Sequence, residues 1–351
     1  MMRASKPTLS RRIMSGVSAV GIAVLTLWGT GAIWFQLSGL PLVAFLTAWL
    51  ILGLSALLAT IAGARLPLLR HAPLMFFIAA LELFAWWYTL RPSHQRAWAD
   101  DVSELLQVRI DHQQVVLRNV RNFEWRSETD YTPRWETRTY DLDRLETADL
   151  ALSYWMGPHV AHTLISFWFS DGRHVTFSLE IRKERGEAFS AIGGLFRQYE
   201  QVLVAADERD IIRTRSNARG EDVYLYSLNL TPEEVRALFL GYVKRANELH
   251  DEPRFYNTIS SNCTTIVDEL ARSISPGLPM DYRLLLSGHL AEYVHDLGGL
   301  AENYEYEKLH RLGYINRRAR ASDSAGDDFS TAIRREVPSA SRSQQHQRRK
   351  K

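Results

Sequence analysis

Three apolar runs fill the first quarter of the chain. Ile13 to Gln36 and Leu42 to Ala64 carry no charge, and Leu74 to Leu90 carries a single acid, Glu82. A helix needs about 20 apolar residues to cross a bilayer, which the first two runs supply and the third approaches. Trp86, Trp87 and Tyr88 close the third run as an interfacial aromatic belt would. A cleaved signal peptide has one short apolar core, so three successive runs read instead as a membrane anchor. Arg3, Lys6, Arg11 and Arg12 precede the first run, Arg65 and Arg70 separate the second from the third, and Leu37 to Pro41 carry no charge. Basic loops stay cytoplasmic. The expected topology therefore has the N-terminus inside and everything after Leu90 outside. Glu82 lies near the middle of its span. It is expected to be protonated and bonded to a neighbouring helix, with a transport role centred on it as the weaker reading.

After the anchor the pattern turns globular. Five segments are expected: residues 1–12 as a basic cytoplasmic N-terminus, 13–90 as the anchor, 91–114 as a linker, 115–316 as a periplasmic domain, and 317–351 as a disordered basic tail. The tail has few apolar residues and many arginines and serines. The net charge of +2 leaves no footprint for nucleic acid.

Within the domain, Val115 to Leu117 and Arg121 to Trp125 read as strands, and Arg126 to Tyr140 as a surface loop or the lining of a polar groove. A hairpin is expected from His162–Phe169 and Arg173–Arg182. Ile165, Phe167 and Phe169 share one face of its first strand. Val175, Phe177, Leu179 and Ile181 share one face of its second. Joining these apolar faces requires paired residue numbers that sum to an even value. A three-residue loop, Ser170-Asp171-Gly172, meets that condition and puts Gly172 at the left-handed position. It also pairs His162 with Glu180 on the polar face. A two-residue Asp-Gly turn would separate them. Thr231-Pro232-Glu233-Glu234 starts a helix running to about Leu249, and a second helix begins near Cys263, capped by Asn262 or Ser261.

Cys263 is the only cysteine. That excludes an intramolecular disulfide and a thiolate zinc cluster, and no cofactor or metal is expected. A lone cysteine is commonly an inert buried hydrophobe. The polar loop Phe255 to Asn262 nevertheless places this one at the first turn of a helix, where the dipole favours a thiolate and free N–H groups face an oxyanion. A strand histidine with a third polar group would complete a nucleophilic site. His162 and Glu180 fit, with His159 and His174 as rival bases among 11 histidines. Asn262, Thr264 and Asn257 are candidates for substrate or oxyanion contacts. The run Asp207-Glu208-Arg209-Asp210 reads as a solvated turn.

Four blocks carry a resemblance: Trp155-Met156-Gly157-Pro158-His159-Val160-Ala161-His162-Thr163, Ser178 to Glu184, Asp207 to Asp210, and Phe255-Tyr256-Asn257-Thr258 through Asn262-Cys263-Thr264-Thr265. Together they resemble the Lnb N-terminal periplasmic domain family, named for a bacterial lipoprotein acyltransferase, over roughly Val115 to Gly298. That family is similar to papain-like, circularly permuted NlpC/P60 domains, in which the histidine strand precedes the cysteine helix. The resemblance implies an α+β fold with an antiparallel sheet and a cysteine-bearing helix. It also implies Cys263 as nucleophile and His162 as base. Glu180 as third member rests on the hairpin register. The expected function is a membrane-anchored cysteine acyltransferase or amidohydrolase acting on a lipid, lipoprotein or peptidoglycan substrate at the bacterial inner membrane. The alternative is a non-catalytic envelope protein that uses the domain for binding.

Overall fold

The computed structural model describes residues 9–62, 69–326 and 328–340, with the side chains of Arg11 and Ser324 excepted. Arg3, Lys6 and Arg65, which bear on the orientation of the anchor, and the basic end of the tail lie outside the described residues. The chain forms two compact units, one made by the residues up to Ser93 together with Ser190–Gln198, the other by His94–Phe189 and the chain from Tyr199 onward.

The first unit is built on α1 (Leu9–Gln36), α2 (Gly39–Ala62) and α3 (Ala72–Thr89). All three are long and apolar enough to cross a membrane. Small residues let them approach. A Cβ on Gly29 would collide with the Trp49 ring, and one on Gly53 would meet Thr26 at 2.6 Å. The Trp49 Nε1–H donates to the Thr26 carbonyl at 2.9 Å, and Phe76 of α3 packs against the Trp49 ring. Ser190–Gln198, with the short helix α4 (Ala191–Leu195), joins this unit rather than the domain whose strands flank it. Phe196 stacks on Phe35 at 5.6 Å and covers Gly31, where any Cβ would collide with its ring. Gln36 donates to the Phe196 and Arg197 carbonyls, and Arg197 donates to the Trp87 carbonyl.

The second unit is an α+β domain. Its strands are β1 (Gln107–Asp111), β2 (Gln114–Arg121), β3 (Glu124–Trp125), β4 (Tyr131–Thr132), β5 (Trp135–Asp141), β6 (Leu145–Tyr154), β7 (Ala161–Phe169), β8 (His174–Arg182), β9 (Glu200–Ala206) and β10 (Asp222–Ser227). The main sheet runs β1-β2-β9-β8-β7-β6-β10, with β5 also paired to β2. Every pairing is antiparallel except the short β2–β9 contact. The helices are α5 (Glu208–Arg213), α6 (Pro232–Asp251), α7 (Cys263–Ile274), α8 (Leu290–Asp296), α9 (Tyr306–Gly313), α10 (Asn316–Ala325) and α11 (Phe329–Arg334).

The hairpin adopts the even-sum register, Ile165 opposite Phe177 and Phe167 opposite Val175. Phe169 and Arg173 close the three-residue loop, and Gly172 takes φ +85°. One face of the sheet buries Phe167, Phe169 and Phe177 against Phe239 and Tyr242 of α6 and Ile266 of α7. α6 starts as its sequence requires. Thr231 and Glu234 form a reciprocal capping box with Pro232 in the first turn.

Four expectations are corrected. The face of the hairpin expected to be polar is buried too, under Ile211, Ile212, Ile315, Phe329 and Ile333. The stretch expected as a disordered tail supplies that cover through α10 and α11 as far as residue 340. Its few apolar side chains suffice because Arg334 ion-pairs with Asp149 at 2.8 Å and Glu208 at 2.5 Å beneath them. The stretch expected as a linker, 91–114, belongs largely to the domain, with Trp98, Val102 and Leu106 buried and β1 inside it. The strand expected over Arg121–Trp125 breaks after Arg121 because the Phe123 N–H donates to Asp210 at 2.8 Å instead of to a strand. Beyond the break, β4 and β5 take up much of the stretch expected as a surface loop, while Arg126 and Arg134 of that stretch do line a polar cavity.

Candidate active site

β7 and β8 stop pairing beyond Ile165 and Phe177, although each continues along its outer neighbour. His162 stays opposite Ser153 of β6, and Glu180 stays opposite Val202 of β9. The resulting wedge holds His162, Ser178 and Glu180. His162 Nε2 lies 2.6 Å from Ser178 Oγ and 3.1 Å from Glu180 Oε1. The Ser178 hydroxyl in turn donates to Glu180 Oε1 at 2.8 Å.

Cys263 enters the wedge from the first turn of α7. Asn262 caps that helix. Its side-chain oxygen accepts the Thr264 and Thr265 N–H groups, and Thr265 Oγ1 accepts the Asn262 N–H at 2.7 Å. The cap uses the second and third amides of the helix. The Cys263 amide, first in the helix, is not used by the cap. The buried thiol is hydrogen-bonded to the His162 imidazole and receives the Thr163 backbone N–H.

Burial opposes charge on all three groups, and the charges of the neighbours outweigh it. Burial and Arg215 pull the His162 imidazole down, but Glu180 and Cys263 lift it to about 9. Burial would raise the Cys263 thiol, yet the His162 charge, its hydrogen bond and the Thr163 amide draw it below its ordinary value. Glu180, which burial would raise, is held well below the usual carboxylate range by His162 and Arg215. The arrangement favours a thiolate beside an imidazolium, with an ionised carboxylate behind it.

Several contributors carry no signal in the sequence. Arg215 sits in a π-helical turn, Thr214–Ala218, directly after α5. Such turns gather at functional sites. Its two terminal nitrogens reach Glu180 at 3.0 Å and Glu221 at 3.2 Å. Glu221 also accepts the Ser153 hydroxyl. Tyr256 is buried beside the thiol. Burial and the Cys263 charge push its phenol far up, so it remains a neutral donor. A cavity of about 230 Å³ opens onto Cys263, His162, Glu180, Arg215 and Tyr256. Trp155 and Phe189, 39 % and 45 % exposed, meet edge to face among its lining.

Other candidates are placed elsewhere. His159 pairs with His289 at 2.9 Å, and His174 packs on Trp168 near the hairpin loop. Asn257 turns its side-chain oxygen onto the Ile259 and Ser260 amides. Asn262 is committed to the cap and to the Thr258 carbonyl, and the Thr264 hydroxyl faces Thr163. These three residues form the turn and the helix start. The run Asp207–Asp210 is solvated only in part, with Arg209 exposed and Asp207 half-buried. Glu208 and Asp210 are fully buried, and Asp210 binds Arg121 at 2.9 Å and the Trp125 indole. Among the described residues no cluster of three or more His, Cys, Asp or Glu is arranged to hold a metal ion.

Residues 131–288 match the family model described as the Lnb N-terminal periplasmic domain, a span that includes Cys263, His162, Ser178, Glu180, Arg215 and Tyr256. No curated protein and no solved structure matches the chain. The periplasmic domain family and the three apolar helices together fit an inner-membrane protein.

Proposed function

From this Lnb-type periplasmic domain we propose a cysteine enzyme that transfers or hydrolyses an acyl group of a lipid, lipoprotein or other cell-envelope substrate. The observation that carries the proposal is the buried Cys263–His162 contact backed by Glu180. The thiolate attacks an ester or amide carbonyl, and the new C–S bond leaves a tetrahedral oxyanion. The Cys263 amide and the Tyr256 hydroxyl are the donors at hand to stabilise it. The His162 imidazolium gives its proton to the leaving alcohol or amine, and the C–O or C–N bond breaks to leave a thioester. Neutral His162 then takes a proton from water or from an acceptor amine or hydroxyl. That nucleophile attacks the thioester and releases the thiolate. Glu180 and Ser178 hold the imidazole and its charge throughout.

The three apolar helices and the basic residues around them support an orientation with the N-terminus cytoplasmic and the domain in the periplasm. A domain carried on such an anchor meets lipids, lipoproteins and cell-wall polymer. The test is labelling by an acyl-ester thiol probe near neutral pH. Wild-type protein is expected to label at Cys263, and His162→Ala to label more slowly. Folded wild-type protein that fails to label would leave the domain a binding module.

A further inference from the structure

Glu82 does not find the neighbouring-helix partner that its place in the sequence led us to expect. It is exposed on α3, and among the described residues no hydrogen bond or ion pair reaches its carboxyl. It stands seven residues from Thr89 and ten from Ala72, roughly 10 Å and 15 Å along the helix. A carboxyl at that depth in a hydrocarbon layer is costly and calls for a partner.

Glu82 also lines an apolar groove of about 430 Å³. α3 presents Ala79, Glu82, Leu83 and Trp86 to it, and α2 presents Phe45, Ala48, Trp49 and Leu52. Both rows have the spacing i, i+3, i+4, i+7, two parallel ridges of about 10 Å with a furrow between them. That is the shape a further helix fills, as a fourth member completes a bundle. A lipid tail would fill the furrow without satisfying the carboxyl.

The geometry points to a membrane-spanning helix of another protein, carrying a lysine or arginine at the depth of Glu82, as the occupant of this groove. Charge complementarity argues against a second copy. The apolar stretches Ile13–Gln36, Gly39–Ala62 and Ala72–Thr89 contain no lysine or arginine, so another copy brings only a second acid or an apolar face.

The test uses the full chain in phosphatidylcholine vesicles with a fluorescent 24-residue Leu/Ala helix bearing one central lysine, and a control helix with leucine there. Energy transfer should show the lysine helix binding at least tenfold more tightly than the control. Glu82→Gln should abolish the difference. Ala79→Phe, which fills the furrow and keeps the acid, should weaken both, and circular dichroism checks that each variant is folded. Equal binding of the two helices would overturn the proposal. So would Glu82-dependent energy transfer between copies of the protein, or displacement of the lysine helix by phosphatidylethanolamine, since a lipid amine would then be the occupant. None of these readouts depends on the thiol chemistry.

Discussion

His162 Nε2 and Glu180 Oε1 stand 3.1 Å apart across a gap where their two strands have ceased to pair. No ladder hydrogen bond fixes that distance. Ser178, bonded to both, and Arg215, bonded to Glu180, fix it instead. Glu180→Gln keeps the shape and removes the charge, so the imidazolium loses the charge that does most to lift it. His162 then falls from about 9 toward its ordinary value, and Cys263 loses the cation that keeps it ionised. Each pKa unit is tenfold in the equilibrium. Alkylation of Cys263 by iodoacetamide at pH 7 should slow by about tenfold or more in the variant. An unchanged rate would remove Glu180 from the site.

The same pair sets a pH profile. The Cys263 value is lowered, so the thiolate is present above that value and lost as pH falls through it. The His162 value is raised, so its positive charge persists up to about 9 and is lost above it. Alkylation of the wild type should begin to rise at lower pH than for a free thiol, hold a plateau through neutrality, and change again near pH 9. In His162→Ala the plateau should vanish and the rise should move up toward or beyond the free-thiol range, since burial alone raises the thiol.

Tyr256→Phe separates binding of the oxyanion from activation of the thiol. The phenol stays neutral and lines the cavity with Cys263. Loss of one oxyanion donor costs about 10²–10³ in turnover. Acyl-probe turnover should drop by that order, while simple alkylation of Cys263, which forms no oxyanion, should hardly change. Parallel loss of both rates would mean that Tyr256 packs the site rather than serving the reaction.

What could be read from the sequence divides by how local the cause is. The hairpin register follows from a strict period of two on both strands and one glycine in the loop, so Ile165 and Phe177 could be paired in advance. The start of α7 follows from Asn262 and the apolar spacing after it. Arg215 has no such mark, because it reaches Glu180 only by the turn of a π-helical segment. Ser178 and Tyr256 stand near Glu180 and Cys263 in the chain, but only the contact with His162 and the shared cavity show that they belong to the site. Ser190–Gln198 carries no mark in the sequence, and only the packing of Phe196 against Phe35 and Gly31 shows where it belongs. α10 and α11 were misread for the complementary reason. Local polarity counts Arg334 against burial, but Asp149 and Glu208 neutralise it from strands and helices far upstream.

That last cluster yields a stability prediction. Glu208 is completely buried and also accepts the Ser166 hydroxyl, and Arg334 provides the cation facing both it and Asp149. Arg334→Ala leaves two buried carboxyls without their cation. Breaking a buried pair from one side costs about 3–5 kcal/mol. Burial would raise the Glu208 carboxyl, but Arg334 and Ser166 help bring it to about 2 from an ordinary 4.5. A lowered folded value means that its stabilisation is present above about pH 4.5 and drains away as pH falls toward 2. Asp149, which burial raises, works in the opposite direction and softens that slope. Urea unfolding of the domain should show Arg334→Ala less stable by about 3–5 kcal/mol at pH 7, with the deficit shrinking below pH 4.5. A variant as stable as wild type at neutral pH would mean that α11 does not clamp the sheet.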